Sequence, residues 1–199
     1  MKTLLIILSS ALAFGSAVPY AIEVVRGKTK PRIVSWFTWS LLIGIACAGS
    51  FAQHQVANGM LTLFDFLGTF SIVLVGLKYG DRSFEPLDIV CQVGAFVGIG
   101  LWLLFNSPMI AIIASITIDL VGSIPTIKHS WQAPHEETRI TFVMCFLAAT
   151  ATVFAAAHLS ADSLAYPVYI LLSNLSCAAA ITWSPHRRLS GAPAELREL

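Results

Sequence analysis

Seven apolar stretches of roughly 20 residues fill this chain almost end to end, over about 3–22, 33–53, 59–79, 86–105, 107–128, 138–158 and 163–183. A run of about 20 apolar residues, coiled as a helix, crosses a hydrocarbon core ~30 Å thick. Lipid offers backbone groups no partners, so each segment must satisfy its own amides and carbonyls, and a helix does this. With 199 residues, 56% of them hydrophobic and 12% charged, no length is left for a soluble domain. The expected fold is an all-α integral membrane domain of seven transmembrane helices over 1–184. A short tail, 185–199, carries Pro185 and Pro193 and is expected to be disordered.

The spacing of the stretches repeats. Moving the first three forward by 106 residues lays them on the last three and brings Pro19 onto Pro125. Internal similarity of this kind marks a duplicated unit. The fourth stretch, 86–105, reverses the chain once, so both triplets point the same way. Two parallel three-helix repeats, about 3–79 and 107–183, joined by a linker helix in a 3+1+3 order, are therefore expected. Gly94, Gly98 and Gly100 in the linker allow close helix contact, as do Ala148, Ala149, Ala151 and Ala155 in the sixth stretch. Such faces permit a homo-oligomer without requiring one.

Basic residues set the expected orientation. One side collects Arg26, Lys28, Lys30, Arg32, Lys78, Arg82, Lys128, Arg139, Arg187, Arg188 and Arg197, and the other only Lys2. Cytoplasmic loops are the Lys- and Arg-rich ones, which puts the N-terminus outside and the C-terminus in the cytoplasm of a plasma (inner) membrane protein. The net charge of +1 is no sign of nucleic acid, because the basic residues sit at membrane boundaries. The expected partners are the lipid bilayer and a small solute. Met1-Lys2 followed by the apolar run 4–8 and Ala11-Leu12-Ala13 has the look of a cleavable signal. Cleavage would leave six helices and tend to place the basic loop 26–32 outside, so retention is expected.

No HExxH or GxSxG pattern and no compact nucleophile set occurs, and the seventh stretch lacks a Lys for a Schiff base. An enzyme is not expected, nor a cofactor. Cys47, Cys91, Cys145 and Cys177 fit no metal or CxxC spacing and read as small apolar residues within helices. His54 and His158 close the second and sixth stretches as polar helix ends, and His135-Glu136-Glu137 reads as a helix start.

The segments Gly15-Ser16-Ala17-Val18-Pro19-Tyr20 and Asp119-Leu120-Val121-Gly122-Ser123-Ile124-Pro125-Thr126, set in a 3+1+3 chain, resemble the SWEET and PQ-loop transporter superfamily. The architecture covers nearly the whole chain, and the motif only these short segments. Two features depart from the family pattern. Tyr20 and Thr126 stand where Gln follows the proline, and the second and sixth stretches lack internal prolines. The resemblance implies alternating access, with one triplet rocking on the other about Pro19 and Pro125. In proton-linked members an acid placed like Asp119 couples protons to transport. In sugar-transporting members each triplet's third helix offers an Asn. Here Asn174 has Gly68 at the matching position, so either the pocket is asymmetric or the solute is not a sugar.

Independently of any family, Asp119 stands mid-depth in the fifth stretch, where an ionisable group is costly and signals function by default. Asp65 lies in the outer half of the third stretch and faces the same cavity, reaches the outer interface or pairs with a hydroxyl. Asn174 bonds a solute or simply bridges helices. Trp36, Trp39, Trp131 and Trp183 gather towards the inner boundary and Trp102 towards the outer, as an aromatic belt does. Trp39 is one turn deeper than Trp36, which makes it the belt's candidate for the cavity. The expected function is a transporter or facilitator of a small polar solute of the sugar or amino acid class. Proton linkage through Asp119 is part of that expectation. The open alternative is a receptor or assembly factor built on the same bundle.

Overall fold

The computed structural model describes residues 1–185 except 30, 32, 81, 83–85, 106, 133, 135 and 136. At 87, 88, 91, 99, 108, 111, 125, 129 and 162 it describes the backbone alone. All but the first residue of the expected tail therefore lies outside the described residues, as do His135 and Glu136 and the side chains of Asp88, Cys91 and Pro125.

Among the described residues there are seven helices and no strand. They are α1 (Lys2–Val25), α2 (Ile33–Ala52), α3 (Val56–Tyr79), α4 (Pro86–Phe105), α5 (Pro108–Gln132), α6 (Arg139–Ala155) and α7 (Ala161–Trp183). Their ends differ from the apolar stretches where local hydrogen bonding decides. α3 begins three residues before its stretch because the Gly59 amide already donates to Gln55 O at 2.8 Å. The Asn58 amide also anchors that first turn to Ser50 Oγ of α2 at 2.7 Å. α6 stops at Ala155, and Ala156 turns extended with φ −51° and ψ 137°. Lys2 Nζ reaches the carbonyls of Ala156 at 2.9 Å and Ala157 at 3.5 Å, a cation at the exposed carbonyls of a helix C-terminus.

Among the described residues four helices are long and apolar enough to cross a membrane: Lys2–Val25, Ile33–Ala52, Val56–Tyr79 and Ser163–Trp183. α6 has only 17 residues, about 26 Å at ~1.5 Å per residue, the lower limit for a span. α5 is long but carries Asp119, Lys128 and several hydroxyls.

The surface is consistent with a bilayer. Large apolar side chains such as Ile7, Phe14, Leu74, Phe96, Leu103 and Phe154 point outward, while Ser9, Ser40, Ser50, Thr62, Ser115 and Thr152 are buried. A soluble monomer rarely exposes so wide an apolar belt. Most interior hydroxyls are satisfied by their own helix. Ser10, Thr38, Ser40, Ser50, Thr62, Thr69 and Thr150 donate to the carbonyls of Ile6, Val34, Trp36, Ala46, Asn58, Asp65 and Phe146, four residues back. This costs the segments no unpaired donor.

Six helices close into a ring in the order α1, α3, α2, α5, α7, α6 and back to α1. Every contact in this ring has a counterpart three places round: α1 with α3 matches α5 with α7, α2 with α3 matches α6 with α7, and α1 with α6 matches α5 with α2. Polar bonds stitch the α1–α6 seam, where Ser9 Oγ and Thr152 Oγ1 lie 2.6 Å apart and Thr141 Oγ1 donates to Ser16 O at 3.0 Å. At the end of that seam Thr138 Oγ1 donates to Glu23 Oε2. α4 lies outside the ring against α5 and α2. Its glycines permit this approach, since a Cβ on Gly98 would stand 2.9 Å from the Cβ of Ala114. Gln92 Nε2 ties it to Thr38 Oγ1 of α2 at 2.7 Å.

Candidate functional site

The ring encloses a cavity of about 100 Å³. Its walls come from all six ring helices. Helical spacing explains which residues reach it: Trp36, Trp39 and Ile43 recur on one face of α2, Asp65, Thr69 and Ile72 on one face of α3, and Asp119, Ser123 and Thr126 on one face of α5. Ile170, Ser173, Asn174 and Cys177 complete the wall from α7, Ser16 and Ala17 from α1, and Thr141, Phe142 and Cys145 from α6.

The N-terminal ends of α3, α5 and α7 share one end of the bundle with the C-terminal ends of α2 and α6. On that side of the cavity the bundle is packed with apolar residues. Ala46, Ile112, Ala149, Tyr166 and Ile170 form one apolar cluster there, and Ala13, Leu61 and Ala148 a second. The lining residues Trp36, Thr126, Thr141 and Cys177 lie towards the opposite end, which carries the basic loops. The cavity thus runs from mid-bundle towards the basic end. A volume of this size holds several waters, at ~10–15 Å³ of such space each.

Asp65, Asp119, Asn174 and Trp39, singled out separately along the chain, line this one cavity. Starting α3 at Val56 places Asp65 ten residues in, near mid-depth, so its side chain faces the cavity rather than the outer interface. Asp119 Oδ2 accepts from Tyr169 Oη at 2.8 Å. That phenol also contacts Ser123 Oγ at 3.3 Å, and Ser173 Oγ donates to Ser123 Oγ at 3.5 Å. Asp65 differs: its carboxyl has no hydrogen-bond partner among the described residues, and it feels the charge of Asp119 across the cavity. Asn174 donates to Ile170 O at 2.9 Å, within its own helix.

Trp36 also belongs to the wall, where the sequence reading put only Trp39. Its ring packs on Tyr20 at 4.6 Å and meets Trp39 edge-on at 5.3 Å. Gly68 does not line the cavity. It abuts α1, 3.3 Å from the Ala17 Cβ by its own projected Cβ, and Thr69 takes the position opposite Asn174. Asp65, Thr69 and Ile72 line the cavity 105 positions before Ile170, Asn174 and Cys177, whereas Trp36 and Trp39 stand 106 before Phe142 and Cys145. Cys145 of α6 and Cys177 of α7 line the cavity as well.

Pro19 lies within α1, which continues across it, and the backbone of α5 is likewise helical across Pro125. α7 contains a helical proline not singled out from sequence, the buried Pro167. Tyr169, Ser123 and Ser173 were also missed. Their signal was available, since Asp119 and Ser123, like Tyr169 and Ser173, are polar pairs four apart in apolar segments. Among the described residues no group of three His, Cys, Asp or Glu is placed to hold a metal ion. No family model, curated protein or solved structure matches this chain.

Proposed function

We propose that this chain is a secondary transporter or facilitator for a small polar solute. Its two triplets, 3–79 and 107–183, are parallel repeats that rock against each other, with α4 as the linker. The cavity carries the proposal: it gathers the chain's mid-helix carboxyls and an amide at the centre of the bundle. Transporter sites of this type sit near the midplane between repeats. The matched contacts around the helix ring support the repeat reading, as does the resemblance to SWEET and PQ-loop transporters. The packed end and the cavity leaning to the basic end fit one state of an alternating cycle, open to the cytoplasm if basic loops are cytoplasmic. Pro19 and Pro125 leave carbonyls one turn back without amide partners and supply the bending points.

Asp119 is the proposed proton carrier. It is faced by Asp65 from α3 and by Tyr166, Tyr169 and Cys177 from α7. Protonation removes a charge that the bundle interior tolerates poorly, which is how a proton can alter the balance between states. The test is uptake into proteoliposomes of sugars and amino acids, with and without a pH gradient, for wild type and Asp119→Asn. Flux that follows the gradient in wild type and not in the variant is the expected result. Flux equal in both proteins at every pH would remove Asp119 from the coupling. A folded protein that moves no solute would favour the receptor or assembly-factor reading.

A further inference from the structure

The cavity's balance of donors and acceptors says more about its occupant than its size does. Its described lining contains two carboxyls and no Lys, Arg or His. Several hydroxyl protons are already committed: Ser16 to Ala13 O, Thr69 to Asp65 O, Thr141 to Ser16 O and Tyr169 to Asp119 Oδ2. What remains is rich in acceptors, namely both oxygens of Asp65, the second oxygen of Asp119 and the Asn174 carbonyl. Against the four carboxyl oxygens the wall offers a sugar or a zwitterion only neutral donors, among them the Thr126 hydroxyl, the indole N–H groups of Trp36 and Trp39 and the Asn174 amide. An ammonium group has three donors and no acceptor. Asp65 is the second, independent pointer. It is a carboxyl inside the bundle, opening on the cavity, with no partner among the described residues. A carboxyl in such surroundings keeps its charge only beside an opposite one and otherwise holds a proton. The indoles of Trp36 and Trp39 line the same space, and among aromatic side chains indole attracts organic cations best.

We propose that the cavity takes a small organic cation, a protonated primary amine held between Asp65 and Asp119 with its alkyl part against Trp36 and Trp39. The proposal refines the transport reading by naming its substrate class, and its test does not depend on transport.

Purified protein in lipid nanodiscs is titrated with propylammonium chloride at constant ionic strength, reading tryptophan fluorescence and calorimetric heat. Propanol, glucose, alanine and sodium chloride serve as the neutral, zwitterionic and inorganic comparisons. Saturable binding of propylammonium is expected. It should weaken about tenfold or more in Asp65→Asn and Asp119→Asn, since each removes one partner of an enclosed charge pair. Both variants should keep the wild-type melting temperature. In the wild-type chain propylammonium should also slow thiol labelling of Cys145 and Cys177, and propanol should not. That measurement decides the matter even if the variants fold poorly. Saturable binding of glucose, alanine or sodium with none of propylammonium would overturn the amine assignment and leave the transport reading standing. Amine binding without flux in liposomes would do the reverse.

Discussion

Tyr169 and Asp119 form the pair on which the chemistry of the cavity turns. Replacing Tyr169 by Phe removes the phenol proton from Asp119 Oδ2 and keeps the ring's packing. The expected loss is about 1 kcal/mol of stability, the usual net worth of one such bond, read by thermal unfolding in detergent. An unchanged melting temperature would mean that the bond has no net weight. Asp119 and Asn174 were legible in the sequence because an acid or an amide stands out in an apolar helix. That they meet Asp65 and Trp39 was not legible, because spacing within a helix says nothing of how helices turn towards each other. Asp65 stayed ambiguous for a narrower reason. Its depth depends on where α3 begins, and apolar content cannot see that Val56, Ala57 and Asn58 are already helical. Tyr169 showed only through its spacing of four from Ser173, because an aromatic residue in an apolar segment otherwise looks like packing.

At the scale of the element, α4 is held by small residues rather than by many bonds. A methyl at Gly98 would meet the Cβ of Ala114, which has no rotamer by which to withdraw, so α4 or α5 must shift. Gly98→Ala is expected to cost about 1–3 kcal/mol, the range for overpacking, as a lowered unfolding temperature. Gly100→Ala, where nothing lies within 4 Å, should be neutral in the same assay. The seam between α1 and α6 rests on polar contact. Thr152→Val leaves the buried Ser9 hydroxyl without its partner and should destabilise by about 1–3 kcal/mol. Combining it with Ser9→Ala should recover part of that loss, because both ends of the bond are then apolar. The existence of these helices was plain from hydrophobic run length. Their ends were not, since a side chain from elsewhere in the chain, Lys2, reaches the carbonyls where α6 stops.

For the whole molecule, the packed end and the cavity predict an asymmetry of access. In a variant retaining only Cys177, a small charged thiol reagent should label from the basic face and far more slowly from the other. Equal rates from both faces would mean that the packed clusters do not seal the bundle. The self-bonded hydroxyls of the interior also bear on how the chain reaches the bilayer. Because these Ser and Thr residues bond within their own helix, most segments arrive at the insertion machinery with nothing left to pair, and each can enter lipid singly. The bonds of the α1–α6 seam join residues far apart in the chain, as with Ser9 and Thr152, which are 143 positions apart. They can form only after synthesis has passed the sixth helix. α3 and α5 are the exceptions, because Asp65 and Asp119 each cost about 2.5–3.5 kcal/mol at a helix centre, and the phenol partner of Asp119 is made fifty residues later. During biogenesis α5 therefore lingers at the membrane's edge, entering with α7 rather than before it.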